Sequence, residues 1–574
     1  MDAELLPHLI ARADDRFDAD RERRTARQAI GHRELMSMIK NAVCCCLTAE
    51  SRWHATAETV AAAREWTAVL TGLQDATGLF SSSGNISSPP DSAFSLNDAA
   101  QTALLIHARP DAASLGLVDV ADDLQQLLDR ATPGLVAGGV HTPNHRWELA
   151  AALSRIDVLA PDPAVRQRVS AWLAEGVDID ADGLYSERSA NYAAYVSNPC
   201  LLVLGDLLDR PDLIDAVHRN LHAQADLTDH LGLVETVFSR RQDQRLLDHR
   251  KDHDGFTFAA FLPQLRRFAH DGCARCRGLY RWTARLELAS PTVNPALVLA
   301  ELLDPAPVRT AVDRAGASTG GTERHFSEAG VVVRRTARGM VTINAGSDVA
   351  AAGRVGSGLA CNPTFLRWQQ DAVVLNSVRL SREFFGLGPF RADRLSRSGP
   401  DTYRLVEEVE AAYYQPLAAP GYDGYDLEFE GRFSAQMSFS ERERTIVGLQ
   451  STVTVECTDE AIRLIVEVAG AAAPCCLELG FRPGGRVTGA EPLDEDRWLL
   501  SGNAYYQVGS SAIEVSGPPP TGVGFYQPGE AYGFLGGTDA VGGPRLYLPF
   551  TAPHRVEIMV RAREDAGLSP TGNG

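Results

Sequence analysis

No stretch of this 574-residue chain approaches the roughly 18–20 consecutive apolar residues needed to cross a bilayer as a helix, so no membrane span is expected. An excess of positive charge is missing too. With 55 Lys+Arg against 74 Asp+Glu the formal net charge is −19, and such a field repels phosphate. That disfavours nucleic acid and anionic membrane as partners, while leaving room for an acidic substrate held by a local arginine cluster. The opening MDAELLPHLIARADDRFDAD is acidic and broken by charges, and shows no basic start followed by an apolar core. A cytoplasmic location is therefore expected, with an export signal upstream of Met1 left open.

A disulfide framework is equally absent. The ten cysteines include the adjacent runs Cys44–Cys45–Cys46 and Cys475–Cys476, which read as small buried side chains in a reducing compartment. Cys273 and Cys276 have CxxC spacing with no second CxxC, so the pair reads as structural or incidental. His218 and His222 stand four apart on a predicted helix, yet no third ligand is evident nearby in the sequence. No metal and no cofactor are expected. The chain has no GxxxxGK[ST] loop and no GxSxG elbow, which removes support for nucleotide binding and for a serine hydrolase.

What is present divides near residue 310. Before it, windows such as HATAETVAAAREWTAVLTGLQ and RWELAAALSRIDVLA repeat apolar residues at three- and four-residue intervals. Eight to twelve short helices in sequence suggest stacked helical hairpins, in a solenoid or a closed toroid. After about residue 320 the segments become short, β-branched and alternating, as in TIVGLQSTVTVECT and IRLIVEVAG, with Gly, Pro and Asp between them. With no helical crossovers between them, they predict a large antiparallel region, more sandwich-like than parallel. The expected organisation is an all-α region over 1–310 with the cleft, and an antiparallel β-sandwich over 311–574.

Two motifs in the helical half carry chemistry. In Thr142-Pro143-Asn144-His145-Arg146-Trp147-Glu148 the threonine suits an N-cap and the proline suits the first helical position. Asn144 can donate an amide hydrogen bond to a carboxylate, and His145 can exchange a proton near neutral pH. Glu148, three residues on, can orient the His145 ring. In the second motif, Asp182-Gly183 marks a tight turn before Glu187-Arg188-Ser189-Ala190-Asn191-Tyr192, with Tyr195 following. A tyrosine at a cavity rim can pass a proton. Elsewhere Arg240 and Arg241 offer forked donors for carboxylates or sulfates, and Trp147 offers a face for a sugar.

The order Asn-His, then Asp-Gly…Glu-Arg-Ser…Tyr, then a long β region resembles the heparinase II/III-like polysaccharide lyases. The resemblance covers roughly residues 90–550. It implies an incomplete α/α toroid followed by a multi-sheet antiparallel β-sandwich. Asn144 then matches the residue that neutralises the substrate uronate carboxylate. His145 matches its neighbour in proton abstraction, and Tyr192 the donor to the leaving glycosidic oxygen. Glu187 and Arg188 match the segment that shapes the pocket, with Tyr195 beside them, and the segment from His325 resembles the first strand of the β region. One departure stands out: relatives carry a second catalytic histidine in the β half, where this chain has only His325 and His554 after residue 310. The base is therefore open between His145 and Tyr192.

The expected function is a lyase that cleaves uronate-containing polysaccharide or oligosaccharide by β-elimination. The expected partner is that acidic glycan, with homo-oligomers through exposed sheet faces left open. The alternatives are a glycoside hydrolase on the same scaffold, drawing carboxylates from Glu148, Glu187 or Asp243, and a non-catalytic carbohydrate-binding protein.

Overall fold

The computed structural model describes residues 2–25, 30–82, 84–241, 243, 255–270, 272–304, 323–349, 359–417, 437–522 and 543–563. It comprises two compact units. The first is Met1–Val234 with Phe256–Gly321, and the second is Glu235–Gly255 with Thr322–Gly574. The boundary expected at residue 310 lies outside the described residues.

The first unit is helical. Its segments are α1 (Asp2–Thr25), α2 (His32–Leu47), α3 (Ala57–Gly72), α4 (Pro89–His107), α5 (Ala112–Leu115), α6 (Val118–Ala137) and α7 (Pro143–Leu159). There follow α8 (Pro163–Leu173), α9 (Ala190–Tyr192), α10 (Asn198–Leu207), α11 (Pro211–Asp226), α12 (Leu262–His270), α13 (Ala274–Ala289) and α14 (Pro295–Leu303). Several begin with a polar residue and a proline, which satisfies one orphan amide and removes another. Ser88 accepts from the Asp91 amide, Asp162 from that of Ala164, and Asn294 from that of Ala296.

Packing runs around this unit. α2 packs on α1, α3 and α4; α4 packs on α6 and α7; α7 packs on α8 and α10; α14 returns to α1 and α2. The Cys44–Cys45–Cys46 run is wholly buried in α2 as free thiols. No described helix is long and apolar enough to cross a membrane.

The second unit is built on one large, branched and almost wholly antiparallel sheet. Its longest strand, Ala461–Phe481, pairs along its length with Arg545–Arg563. On its other edge it pairs first with Arg444–Cys457 and then with Val373–Arg382. Its first half alternates buried and open positions, the sign of one wet face, whereas its last residues are buried on both faces. Gly470 marks the change, at φ +109°, where a Cβ would meet the Gly448 carbonyl oxygen at 2.4 Å. Leu464, Val466, Leu477 and Leu479 of this strand join Val453, Tyr403, Trp368 and Phe390 in the core. Arg379 and Glu478, directly opposite in the ladder, form a buried ion pair at 2.5 Å.

Candidate active site

The first turn of α7 is built as the sequence suggests, with one change. Thr142 sits at the N-cap with extended backbone, but its hydroxyl donates to Asn144 Oδ1 at 2.7 Å and caps no amide. Asn144 is 2% exposed. Its Nδ2 is buried and has no hydrogen-bond partner among the described residues. A helix N-terminus already attracts negative charge through its free amides, so this unspent donor stands where a carboxylate is welcome.

His145 follows, largely buried, with its ring edge-on to Phe94 of α4 at 6.0 Å and to His141 at 4.8 Å. Arg33 lies over the other partner ring, 3.9 Å from the Phe94 centroid, and pairs with Asp91. His141 is exposed and was not singled out from the sequence. Its position four residues before His145 was the available signal.

Glu148 takes a different role from the one expected. Its carboxylate accepts from Asn97 Nδ2 at 2.8 Å and from the Cys200 thiol at 3.1 Å, which directs it into the α4–α7–α10 junction. Burial pushes its carboxyl above the ordinary carboxylate range, only partly offset by these two hydrogen bonds. Arg155 completes the network by donating to Asn97 Oδ1 at 2.5 Å. Trp147 is 1% exposed and cannot present a face to a sugar. Its indole donates to Asp178 Oδ1 at 3.3 Å, and the Arg146 guanidinium covers its ring at 4.6 Å. Glu148 was expected to orient His145 and Trp147 to stack on a sugar because spacing gives the helix face but not what packs against it.

Asp178 is the residue that sequence reasoning missed. Besides Trp147 it pairs with Arg146 at 3.1 Å, accepts from the Ser186 hydroxyl, and receives the Ser186 amide on its backbone carbonyl at 2.9 Å. It thereby fastens the first turn of α7 to the residue immediately before Glu187-Arg188. Glu187 is buried, and Arg188 sits at φ +52°, a left-handed conformation of order 1 kcal/mol dearer for a residue with a Cβ. The Asp-Gly turn forms as predicted: Gly183 has φ +92°, and a Cβ there would lie 2.8 Å from the Arg219 carbonyl oxygen.

Ser189 caps the next turn by accepting from the Tyr192 amide at 3.1 Å. The chain then winds as a π-helix over Ala193–Ser197, a wide turn that leaves a carbonyl without its usual partner. Gln264 of α12 supplies one, donating to the Ala194 oxygen at 2.8 Å. Tyr192 is half-buried at the start of this turn, and α7 packs directly against the turn. Tyr195 is 39% exposed, its ring edge-on to Phe256. The helical unit thus brings Asn144, His145, Glu187, Arg188 and Tyr192 onto adjoining segments.

The remaining expected binders lie in the second unit. Arg240 holds Asp348 through two bonds of 2.8 and 3.0 Å, so its fork is already engaged within that unit. The Arg241 amide donates to the Ser239 hydroxyl at 3.1 Å. His325 is paired with Glu323 at 2.5 Å on the sheet's first strand, Glu323–Phe326, where the carboxylate also takes the Tyr403 hydroxyl.

A metal-ligating set is present where none was expected: His218 and His222 of α11 meet Cys273 and Cys276, all four ligand atoms lying within 4.8 Å of one another.

No protein-family model and no curated protein matches the chain. Solved structures do. The chondroitin AC lyase of Streptomyces coelicolor A3, in complex with chondroitin sulphate, superposes with a TM-score of 0.55 over 97% of this chain and 80% of that one, at 13% identity. A heparan sulfate lyase mutant from Pedobacter heparinus gives 0.48 over 92% and 75%, at 10% identity. Over most of its length this chain therefore shares the fold of the chondroitin AC lyase structure.

Proposed function

We propose that the protein is a lyase that cleaves a uronate-containing polysaccharide or oligosaccharide by β-elimination, with the reaction centred on Asn144, His145 and Tyr192. The observation that carries this reading is the buried Nδ2 of Asn144 at the start of α7, which has no partner among the described residues. A buried donor left unpaired costs about 1–3 kcal/mol. It is offset if the Asn144 amide donates to a substrate carboxylate.

In a 4-linked uronate the C5 proton becomes removable once the adjacent carboxylate is neutralised. The Asn144 amide and the first amides of α7 stabilise the charge that develops there. His145 takes the C5 proton, the C4–C5 double bond forms, and the C4–oxygen bond breaks with its electron pair on the leaving oxygen. Tyr192 protonates that oxygen. Tyr192, half-buried at the start of the π-helical turn, suits the donor, and the largely buried His145 imidazole suits the base. A helical unit and a large, almost wholly antiparallel sheet support this reading at the level of fold. The hydrolase alternative loses ground because Glu148, one of its candidate carboxylates, is spent on Asn97 and Cys200.

The test is a panel of uronate polymers and oligomers followed by ultraviolet absorbance and product mass. A lyase creates a conjugated unsaturated uronate, a hydrolase a reducing end without it, and a binding protein neither. Tyr192→Phe should abolish turnover while retaining substrate affinity. A 4-O-aryl uronide, whose leaving group needs no proton, should restore it. Turnover of the natural substrate at the wild-type rate in that variant would remove Tyr192 from the acid role.

A further inference from the structure

We propose that His218, His222, Cys273 and Cys276 form a structural zinc site that fastens α11 to the start of α13. The proposal stands on the helical unit's own geometry and is independent of the lyase reading. His218 and His222, four apart, project from one face of α11. Cys273 is the N-cap of α13 and Cys276 lies in its first turn, so the CxxC spacing turns both sulfurs to one side. Their ligand atoms approach closely: His218 Nε2 to Cys273 Sγ is 3.3 Å, His222 Nε2 to Cys273 Sγ 3.8 Å, and His222 Nε2 to Cys276 Sγ 3.6 Å.

These three separations lie close to the sulfur–nitrogen edge of a zinc tetrahedron, and all four ligand atoms fall within 4.8 Å of one another. With Zn–S about 2.3 Å and Zn–N about 2.0–2.1 Å, a tetrahedral angle sets the sulfur–nitrogen edge at about 3.6 Å. Hydrogen bonding accounts for them less well, because one His222 nitrogen faces both sulfurs and one Cys273 sulfur faces both rings. The Cys276 amide also donates to Cys273 Sγ at 3.3 Å, which holds that sulfur at the start of α13. Arg275, between the cysteines, pairs with Asp226 at the end of α11 and ties the same two helices together.

Two thiolates and two imidazoles select zinc over calcium or magnesium, which take oxygen. Four protein ligands close the shell and leave no position for substrate, so the role is structural. Binding releases the two thiol protons as two Zn–S bonds form, with no change of oxidation state. Between the two histidines, Asn220 donates to the Gly183 carbonyl at 3.0 Å, and Arg219 donates to that of Asp180. A metal that fixes α11 therefore also fixes the turn leading to Tyr192.

The experiment uses the full chain, purified under reducing conditions without chelator and analysed by inductively coupled plasma mass spectrometry. About one zinc per chain is expected, falling below about 0.1 in Cys273→Ser and in His222→Ala. Removing the metal should lower Tm by about 5–10 °C, restored by zinc. Should the variants fail to fold, cobalt(II) added to the wild-type apoprotein gives an independent reading. Strong visible bands and sulfur-to-cobalt charge transfer, both displaced by zinc, report tetrahedral S2N2 ligation. A folded, reduced wild-type chain that holds under about 0.1 zinc after equilibration with excess metal, and gives only the weak spectrum of six-coordinate cobalt, would overturn the proposal. So would a Cys273–Cys276 disulfide that persists under those conditions.

Discussion

The Asn144 side chain accepts one hydrogen bond, from Thr142, and buries an amide that donates none among the described residues. Its replacement therefore has two separable effects. On the proposed lyase reading, Asn144→Ala removes a donor aimed at developing charge, which elsewhere is worth about 10²–10³ in kcat. The same change releases a buried unpaired amide, worth about 1–3 kcal/mol, and loses one ordinary hydrogen bond of about 1 kcal/mol. Turnover should fall about 100- to 1000-fold while stability in urea stays level or rises slightly. A residue kept for packing would show the reverse, with stability falling and turnover following it. This side chain was readable in the sequence because a Thr-Pro start fixes where the first turn lies and hence where Asn144 stands. Glu148 and Trp147 were not, because their partners Asn97, Cys200 and Asp178 come from distant segments that no spacing rule connects.

Helices in this unit are joined by buried polar contacts, and one of them titrates. His32, at the start of α2, stacks parallel on Phe80 with centroids 4.7 Å apart, and its Nδ1 meets the Ser95 hydroxyl of α4 at 2.8 Å. Its Nε2 is buried without a partner among the described residues, so a second ring proton has no acceptor there. Burial, and then the Arg33 charge, push its pKa from 6.5 down to about 4, with Asp91 pulling weakly the other way. Above pH 6.5 both folded and unfolded chains are neutral at this ring, and the fold keeps its full stability. As pH falls from 6.5 towards 4 the unfolded chain takes up the proton first, and roughly 2–3 kcal/mol is lost. His32→Phe retains the stack and cannot titrate. Urea denaturation at pH 7 and pH 4.5 should show a smaller pH loss in the variant by about that amount, and equal losses would discard the account. The same scale explains what periodicity revealed. Three- and four-residue spacing located most helices, since burial of one face is a local property, whereas the π-helical turn at Ala193–Ser197 depends on Gln264 of α12 and has no local signature. The His218–His222 and Cys273–Cys276 pairs were each visible and each dismissed, because only the packing of α11 near α13 shows that they are one set.

For the whole chain, the helical periodicity of the first half and the alternation after about residue 320 agree with α-helices as far as Leu303 and a sheet from Glu323 onward. The association of Glu235–Gly255 with the sheet unit was not legible, since that segment sits inside the helical half of the sequence and is claimed by pairs such as Glu235 with Arg367 and Arg240 with Asp348. Net charge, by contrast, is fully legible and bears on how a polyanion approaches. A chain of charge −19 repels a polyuronate at long range, even if Asn144 and the α7 amides attract one carboxylate at short range. The Debye length is about 30 Å at 0.01 M salt and about 8 Å at 0.15 M, so moderate salt removes the first effect and spares most of the second. On the proposed lyase reading, kcat/KM for a long polyuronate should rise about two- to tenfold between those ionic strengths and fall again near 1 M. A disaccharide, with fewer charges to repel, should show a smaller rise. Stopped-flow or steady-state rates for both substrates across that salt series decide the matter. A steady decline from the lowest salt onward for both would mean that the field at the site is positive, set by local arginines against the sign of the chain as a whole.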